Sequence, residues 1–212
     1  MSYLHQTKGA LPTYMDKKRE YFDSIGDTWD GNVTAEDMER LTHIIDRIDI
    51  RPGATVCDLG CGTGVLFDLL RRRVGETGYV VGVDFAPRAA HRAARNFPFD
   101  NIAVVEANAC RLPFRGGVFD LVISYSAFAH FSGKDEMIRQ SHGVLNSGGR
   151  LVIIHLMGRT KLAEMHHRAG DAVARDDLPD RRELADMFDR ARFSHCEVTD
   201  TTNLYLATGI KP

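Results

Sequence analysis

The 212-residue chain lacks most of the features that tie a protein to a special environment. Its longest apolar runs, such as residues 151–154, fall far short of the roughly 18 residues that a membrane-spanning helix requires, so no membrane insertion is expected. Residues 1–9 are polar and hold no apolar signal region, and the chain has only four cysteines, Cys57, Cys61, Cys110 and Cys196. A secreted disulfide framework is therefore disfavoured, and the expected compartment is the cytoplasm. No C-x-x-C pair occurs among those cysteines, so a thiolate zinc site has little basis. There is no excess of one charge either: 27 Lys and Arg against 29 Asp and Glu leave a net charge of −2. That balance argues against a nucleic-acid or polybasic membrane partner. Glycine and proline, 19 and 7 residues, are too few for a low-complexity chain, and no repeat at 20 to 50 residues suggests a solenoid. What remains is ordinary globular composition, with 43% hydrophobic and 26% charged residues. The length favours one decorated domain, acting as a monomer or homodimer.

From residue 55 onward, short apolar runs alternate with amphipathic ones, as expected where helices cover both faces of a mostly parallel sheet. The strand candidates are residues 55–59, 79–83, 102–106, 121–124 and 150–156, each rich in Val, Ile or Leu and each followed by turn material. Helices are expected over 86–96, with Pro87 in its first turn, and over 134–145, ahead of Asn146-Ser147-Gly148-Gly149. The first 50 residues read as two helices. One carries Tyr14, Tyr21, Phe22, Ile25 and Trp29 on one face, and the other opens with a Thr34/Asp37 capping box. Residues 181–193 read as a helix, and 195–201 with 204–209 as an antiparallel edge hairpin. The expected architecture is a Rossmann-like, doubly wound, seven-stranded α/β sheet in a single domain. It consists of a helical cover over 1–50, a cofactor-binding core over 51–157, an insertion or lid over 158–180, and a C-terminal helix with edge hairpin over 181–212.

The densest chemical signal is Val56-Cys57-Asp58-Leu59-Gly60-Cys61-Gly62-Thr63-Gly64, a strand that runs into three glycines at alternate positions. Without Cβ atoms such a turn bends sharply and lets a ligand approach the backbone. Asp84 stands 84 − 64 = 20 residues beyond the last glycine, at the end of the next strand, where a carboxylate can accept from two ribose hydroxyls. The spacing does not match G-x-G-x-x-G, because Val65 occupies the last position, so a nicotinamide-dinucleotide oxidoreductase is disfavoured. A phosphate-cradling Walker loop fails as well, since no lysine lies between Lys18 and Lys134. The acid beside the glycines, Asp58, suits an adenosine that bears a zwitterionic amino-acid tail.

With these features the chain resembles class I S-adenosylmethionine-dependent methyltransferases, of the type 11 group that includes ubiquinone/menaquinone C-methyltransferases. The resemblance covers about residues 18 to 157. It includes Lys18-Arg19-Glu20-Tyr21-Phe22-Asp23-Ser24-Ile25 through Trp29-Asp30, the glycine turn, Val83-Asp84, Ala107-Asn108-Ala109 with Leu112-Pro113-Phe114, Phe119-Asp120-Leu121-Val122, and Val144 through Leu151. It implies that S-adenosyl-L-methionine binds and leaves as S-adenosyl-L-homocysteine. It implies too that Asp58, Gly60, Gly62 and Gly64 cradle the methionine end, with Cys61 in the same turn. By the same resemblance Asp84 and Phe85 hold ribose and adenine, Asn108 and Ala109 meet the adenine edge, and Ser124 lies on the methyl-donor side. Asn108 stands where the family usually has Asp, and its carbonyl oxygen is expected to meet the adenine amino group. For Cys57 and Cys61 the residues themselves suggest core packing.

Methyl transfer from a sulfonium is an in-line displacement that depends mainly on positioning, so few catalytic side chains are required. An acceptor that must lose a proton needs a base, and His130 is the first choice and Tyr125 the second. Five of the nine histidines, His130, His142, His155, His166 and His167, cluster after the fourth strand. No H-x-x-x-H or H-E-x-x-H spacing occurs among them, so no metal is expected. The substrate-side candidates are Tyr14, Phe22 and Trp29 from the first helix, with His155, Arg159 and His166. The leading expectation is methyl transfer to a small-molecule acceptor, quinone-like or aromatic, with no nucleic-acid partner. The alternative is a sensor that holds S-adenosylmethionine or S-adenosylhomocysteine without transferase activity.

Overall fold

A computed structural model describes residues 14–25 and 33–212, and within the first helix Tyr14, Met15, Asp16 and Ile25 are described by their backbone alone. The elements are α1 (Tyr14–Ile25), α2 (Ala35–Arg47), β1 (Thr55–Leu59), α3 (Phe67–Val74), β2 (Tyr79–Asp84), α4 (Pro87–Asn96), β3 (Ile102–Glu106), β4 (Phe119–Tyr125), α5 (Lys134–Val144), β5 (Leu145–His155), α6 (Arg159–Ala169), α7 (Arg181–Arg190), β6 (Ser194–Thr201) and β7 (Leu204–Ile210). They form one seven-stranded sheet in the order β3-β2-β1-β4-β5-β7-β6. Every neighbouring pair from β3 to β5 is parallel, and β7 runs antiparallel to both β5 and β6.

Alternation along the strands builds two cores, one on each face. On one face Val56, Leu121, Ile123, Val152 and Ile154 pack under α2, α3 and α4 through Leu41, Ile45, Phe67, Leu70 and Ala93. On the other, Cys57, Leu59, Val122, Leu151 and Ile153 meet Met137 and Ile138 of α5, Leu162 of α6 and Leu184 and Phe188 of α7. Local signals set the helix ends. Thr34 Oγ1 accepts from Asp37 N while Asp37 Oδ2 accepts from Thr34 N, each at 3.1 Å, and Asp180 and Glu183 repeat that box at α7.

Two stretches differ from the sequence reading. Strand β5 begins at Leu145, immediately after α5, rather than at Arg150. Leu145 already pairs with Phe119, and the intervening residues are bonded to Lys211, whose carbonyl accepts from Gly148 N and whose amide donates to Gly149 O, both at 2.8 Å. Segment 158–180 is half helical, because Leu162 and His166 fall one turn apart on the buried side of α6. No helix among the described residues is long and apolar enough to cross a membrane.

Phe67 is fully buried between the sheet and Phe97, whose ring centroid lies 5.3 Å away. Phe67→Ala should lower the unfolding free energy by about 3–5 kcal/mol, measured by urea denaturation. A loss below about 1 kcal/mol would mean that this face is not close-packed.

Candidate active site

The strand order turns back between β1 and β4, so the connections after β1 and β4 leave in opposite directions and a crevice opens at the carboxyl ends. Two adjoining cavities of about 620 and 390 Å³ lie there. They are walled by the glycine turn, by Asp84-Phe85 after β2, by residues 107–110 after β3, and by Tyr125 to Ala127 with His130 and Phe131 after β4. Helix α1 adds Phe22 to the larger cavity and Lys18 to the smaller one.

The turn is fixed to β2, because Gly60 N and Cys61 N both donate to Val83 O, at 2.8 and 3.1 Å. Two of its glycines are required for different reasons. Gly60, at φ +74°, lies so close to the loop after β4 that a Cβ would stand 2.4 Å from that of Ala127. Gly62, at φ +55°, faces the larger cavity, and a Cβ there would meet nothing within 4 Å. It leaves backbone open to a ligand. Asp84 Oδ2 accepts from Gly62 N at 2.8 Å and Oδ1 from Ala86 N at 2.9 Å. A carboxylate has about four lone-pair positions, and with Phe85 N drawing on it as well at least one stays for a hydroxyl.

Charge gives the pocket its character. Asp58 and Asp84 are 2% and 8% exposed, and among the described residues neither forms a salt bridge with a lysine or arginine. Burial, followed by the charge of Asp84, pushes the Asp58 carboxyl up to about 8. Burial also raises Asp84, against hydrogen bonds from Ala86, Gly62 and Phe85. Such a site gains from a cationic ligand and opposes a pyrophosphate.

Beside the glycine turn lies a buried polar cluster. The short 3-10 turn Phe128–His130 brings His130 to the wall of both cavities. Its Nδ1 is 2.7 Å from Asp176 Oδ2, Asp176 Oδ1 accepts from Lys18 Nζ at 2.6 Å, and His166 Nδ1 donates to Asp176 O at 2.5 Å. Burial lowers the His130 pKa while Asp176 opposes it. Burial would raise Asp176, but the bonds from His130 and Lys18 hold it below the usual carboxylate range. Phe22 sets its ring edge-on to Phe85 and to His130, with centroids at 5.9 and 4.9 Å.

Of the residues expected at the site, the cavities bring together Gly60, Gly62, Asp84, Phe85, Asn108, Ala109, Tyr125, His130 and Phe22. Others stand behind the walls, among them Asp58 of β1, which lines neither cavity. Cys61 is packed into the core against Phe67. Gly64 closes on Phe67 and Phe97, either of which a Cβ would meet at 2.8 Å. Ser124, fully buried, donates its hydroxyl to Leu59 O at 2.9 Å and ties β4 to β1 instead of facing a donor. Asn108 Oδ1 accepts from Cys110 N at 2.8 Å, which leaves the second lone pair of that oxygen and the NH₂ for a ligand.

The substrate-side expectations also divide. His155 is 1% exposed and lines neither cavity, and burial holds its pKa down to about 3. Arg159 is turned to the sheet edge, where its Nε is 3.7 Å from Asp200 Oδ2. His166 reaches the cluster but not the cavities. Burial, then the charge of Asp37, pushes the Tyr125 hydroxyl up to about 12, so near neutral pH it donates a hydrogen bond and is a poor base. The side chain of Tyr14 and all of Trp29 lie outside the described residues. Among the described residues no group of three or more His, Cys, Asp or Glu side chains is placed to hold a metal ion. Lys18 and Asp176 carried no local signal, since 158 residues separate them.

A family model described as a methyltransferase domain matches residues 50–201. A 2-phytyl-1,4-naphtoquinone methyltransferase from a Nostoc strain is 37% identical over 49% of this chain and 47% of its own length. The ubiquinone/menaquinone biosynthesis C-methyltransferase of Hahella chejuensis is 29% identical over 90% of this chain and 89% of its own. In several such alignments the chain spans about half the length of the curated relatives it matches. Among solved structures, a SAM-dependent methyltransferase from Aquifex aeolicus superposes with a TM-score of 0.68 at 17% identity, over 92% of this chain and 98% of that one.

Because the Asp58 carboxyl is raised from 3.8 to about 8 on folding, its contribution to stability is full below pH 4 and is lost as pH rises through 8. Relative to Asp58→Asn, the wild type should lose up to about 1.4 kcal/mol of unfolding free energy per pH unit between pH 5 and 8. Urea denaturation across that range checks it, and parallel pH profiles for the two proteins would refute it.

Proposed function

The chain belongs to the class I S-adenosylmethionine-dependent methyltransferases, and from that premise we propose that it transfers the methyl group of S-adenosylmethionine to a neutral aromatic small molecule of the quinol type. The observation that carries this reading is the cleft itself. It combines a backbone cradle open at Gly62, two buried carboxylates without a cation, and an apolar acceptor side. In this reading the chain is one domain, with residues 1–50 and 158–180 covering a core over 51–157 and 181–212 closing the sheet edge. It works in the cytoplasm as a monomer or homodimer.

The residues present fit the donor. Asp84 keeps lone-pair capacity for a ribose hydroxyl, and Gly62 offers bare backbone to the amino-acid end. Asp58 and Asp84 favour a ligand with positive charge, which distinguishes a sulfonium bearing an ammonium from a dinucleotide. When bound, S-adenosylmethionine supplies an electrophilic methyl whose bonding pair departs with sulfur. Phe22, Phe85, Tyr125 and Phe131 enclose the acceptor side in apolar surface that excludes water and suits an aromatic ring. His130 is placed to take the acceptor's proton: Nδ1 faces Asp176, and Nε2 is the ring nitrogen left to accept. The names of the Nostoc and Hahella relatives support the quinone class of acceptor.

The test is methyl-labelled S-adenosylmethionine incubated with purified protein and 1,4-naphthoquinol. Label should appear in a C-methylated product, and its absence, with donor binding intact, would exclude this acceptor class. Asp84→Ala should weaken S-adenosylhomocysteine binding about tenfold to a hundredfold by calorimetric titration, the loss of a charged hydrogen-bond acceptor. Unchanged affinity would refute the ribose assignment.

A further inference from the structure

Next to the base lies a charged group that methyl transfer, as set out above, does not use. Asp176 is 4% exposed and belongs to the connection between α6 and α7. A carboxylate buried that deeply costs several kcal/mol unless it is paired and hydrogen-bonded. Partners arrive from three parts of the fold: Lys18 of α1 on Oδ1, His130 after β4 on Oδ2, and His166 of α6 on the main-chain oxygen. The last bond fixes the backbone that carries the carboxylate.

We propose that Asp176 is a positioning residue for the base, holding His130 as the tautomer protonated on Nδ1 so that Nε2 receives the acceptor's proton, and that Lys18 sets the strength of that base by sharing the same carboxylate. The inference rests on the reading of His130 as proton acceptor. An ionised carboxylate only accepts, so the imidazole nitrogen facing it at 2.7 Å is the donor and the other nitrogen carries the lone pair. When the acceptor's proton moves to Nε2, its bonding pair stays on the acceptor and His130 becomes an imidazolium. The adjacent carboxylate stabilises that cation until the proton leaves to water. Lys18 works against it, because its ammonium draws on the same carboxylate.

The other charged groups around His130 do not replace Asp176. His166 of α6 has its ring centroid 4.8 Å from that of His130 and already donates its Nδ1. Lys134 of α5 brings only donors, which go to Ala129 O and Phe131 O on either side of the histidine. His155 of β5 is kept neutral by burial. Because Lys18 comes from α1, the electrostatic setting of the base is complete only with α1 lying across the cleft. Asp23, which accepts from Arg88 N at 3.1 Å, and the Arg19–Glu106 ion pair hold that helix in place.

The experiment is ¹⁵N-histidine NMR on the full chain, with the His130 signal assigned by its loss in His130→Gln. The wild type should show Nδ1 protonated and Nε2 bare in the neutral ring. Asp176→Asn should lower the His130 midpoint by about one pH unit, and Lys18→Met should raise it. If either single variant fails to fold, Lys18→Met/Asp176→Leu removes both charges at similar volume and should lose the Nδ1–H preference. With 1,4-naphthoquinol as acceptor, Asp176→Asn should lower kcat on the order of tenfold or more with little change in KM, and the acid limb of the pH profile should follow the His130 midpoint. Shifts in the same direction in both single variants, or an unmoved midpoint and tautomer, would show that the pair only braces α1. If the shifts are as expected but the wild type does not methylate the quinol, the positioning role stands and the acceptor assignment fails.

Discussion

Because β1 leads on to β2 at one side while β4, its neighbour at the other, leads on to β5, the connections after these two strands leave in opposite directions and their carboxyl ends part. Everything at the cleft has to fit this narrow parting. The turn after β1 and the loop after β4 come together so tightly that residue 60 has no room for a Cβ. Ser124 ties the two strands just beneath, through the carbonyl of Leu59. A hydroxyl spent on that bond is unavailable to a ligand. The same geometry that opens the crevice therefore assigns Ser124 to the scaffold and leaves recognition to the backbone at Gly62 and the carboxylate of Asp84.

Burying two carboxylates beside that turn opposes folding, since burial raises both carboxyls and the charge of Asp84 adds to the rise at Asp58. In a protein selected for stability alone they would be replaced or paired. Their persistence without a lysine or arginine partner is understandable if the positive charge arrives with the ligand, which then binds more tightly for the cost already met in folding. Behind His130, Asp176 follows the opposite design. Its partners are built in, and its carboxyl lies below the usual range despite burial. One region of the cleft thus waits for a cation, and the other is already neutralised, which suits an uncharged acceptor next to a cationic donor.

How much of this could be read from the sequence depends on the range of the signal. Strands β1 and β3 coincide with their apolar runs, and the Thr34 capping box predicts α2, because those patterns are local. Helix α6 was missed, since Arg159–Ala169 buries little beyond Leu162 and His166 and leaves Met165 exposed, so no apolar stripe appears. Motif spacing located the glycine turn and Asp84. It did not separate glycines that face a ligand from those, like Gly64, that admit an aromatic ring, because both leave the same letter in the sequence. Asn108 was placed at the smaller cavity, but its orientation followed from an Asx-type bond to Cys110 N that only coordinates reveal.

The least legible part was the Lys18–Asp176 pair, which joins the first helix to the segment before α7 across 158 residues. Neither residue stands in a pattern that a periodicity or a short motif can detect. Most of the cavity wall is made from strand ends of the sheet, whereas Phe22 and the Lys18–Asp176 pair behind His130 come from α1 and the α6–α7 connection, which lie outside the sheet. A family match over residues 50–201 includes Asp176 but begins after Lys18. Chemistry at the cleft can therefore diverge while the fold stays recognisable, because Phe22 and the partners of Asp176 are held by contacts between appended segments and not by the register of the sheet.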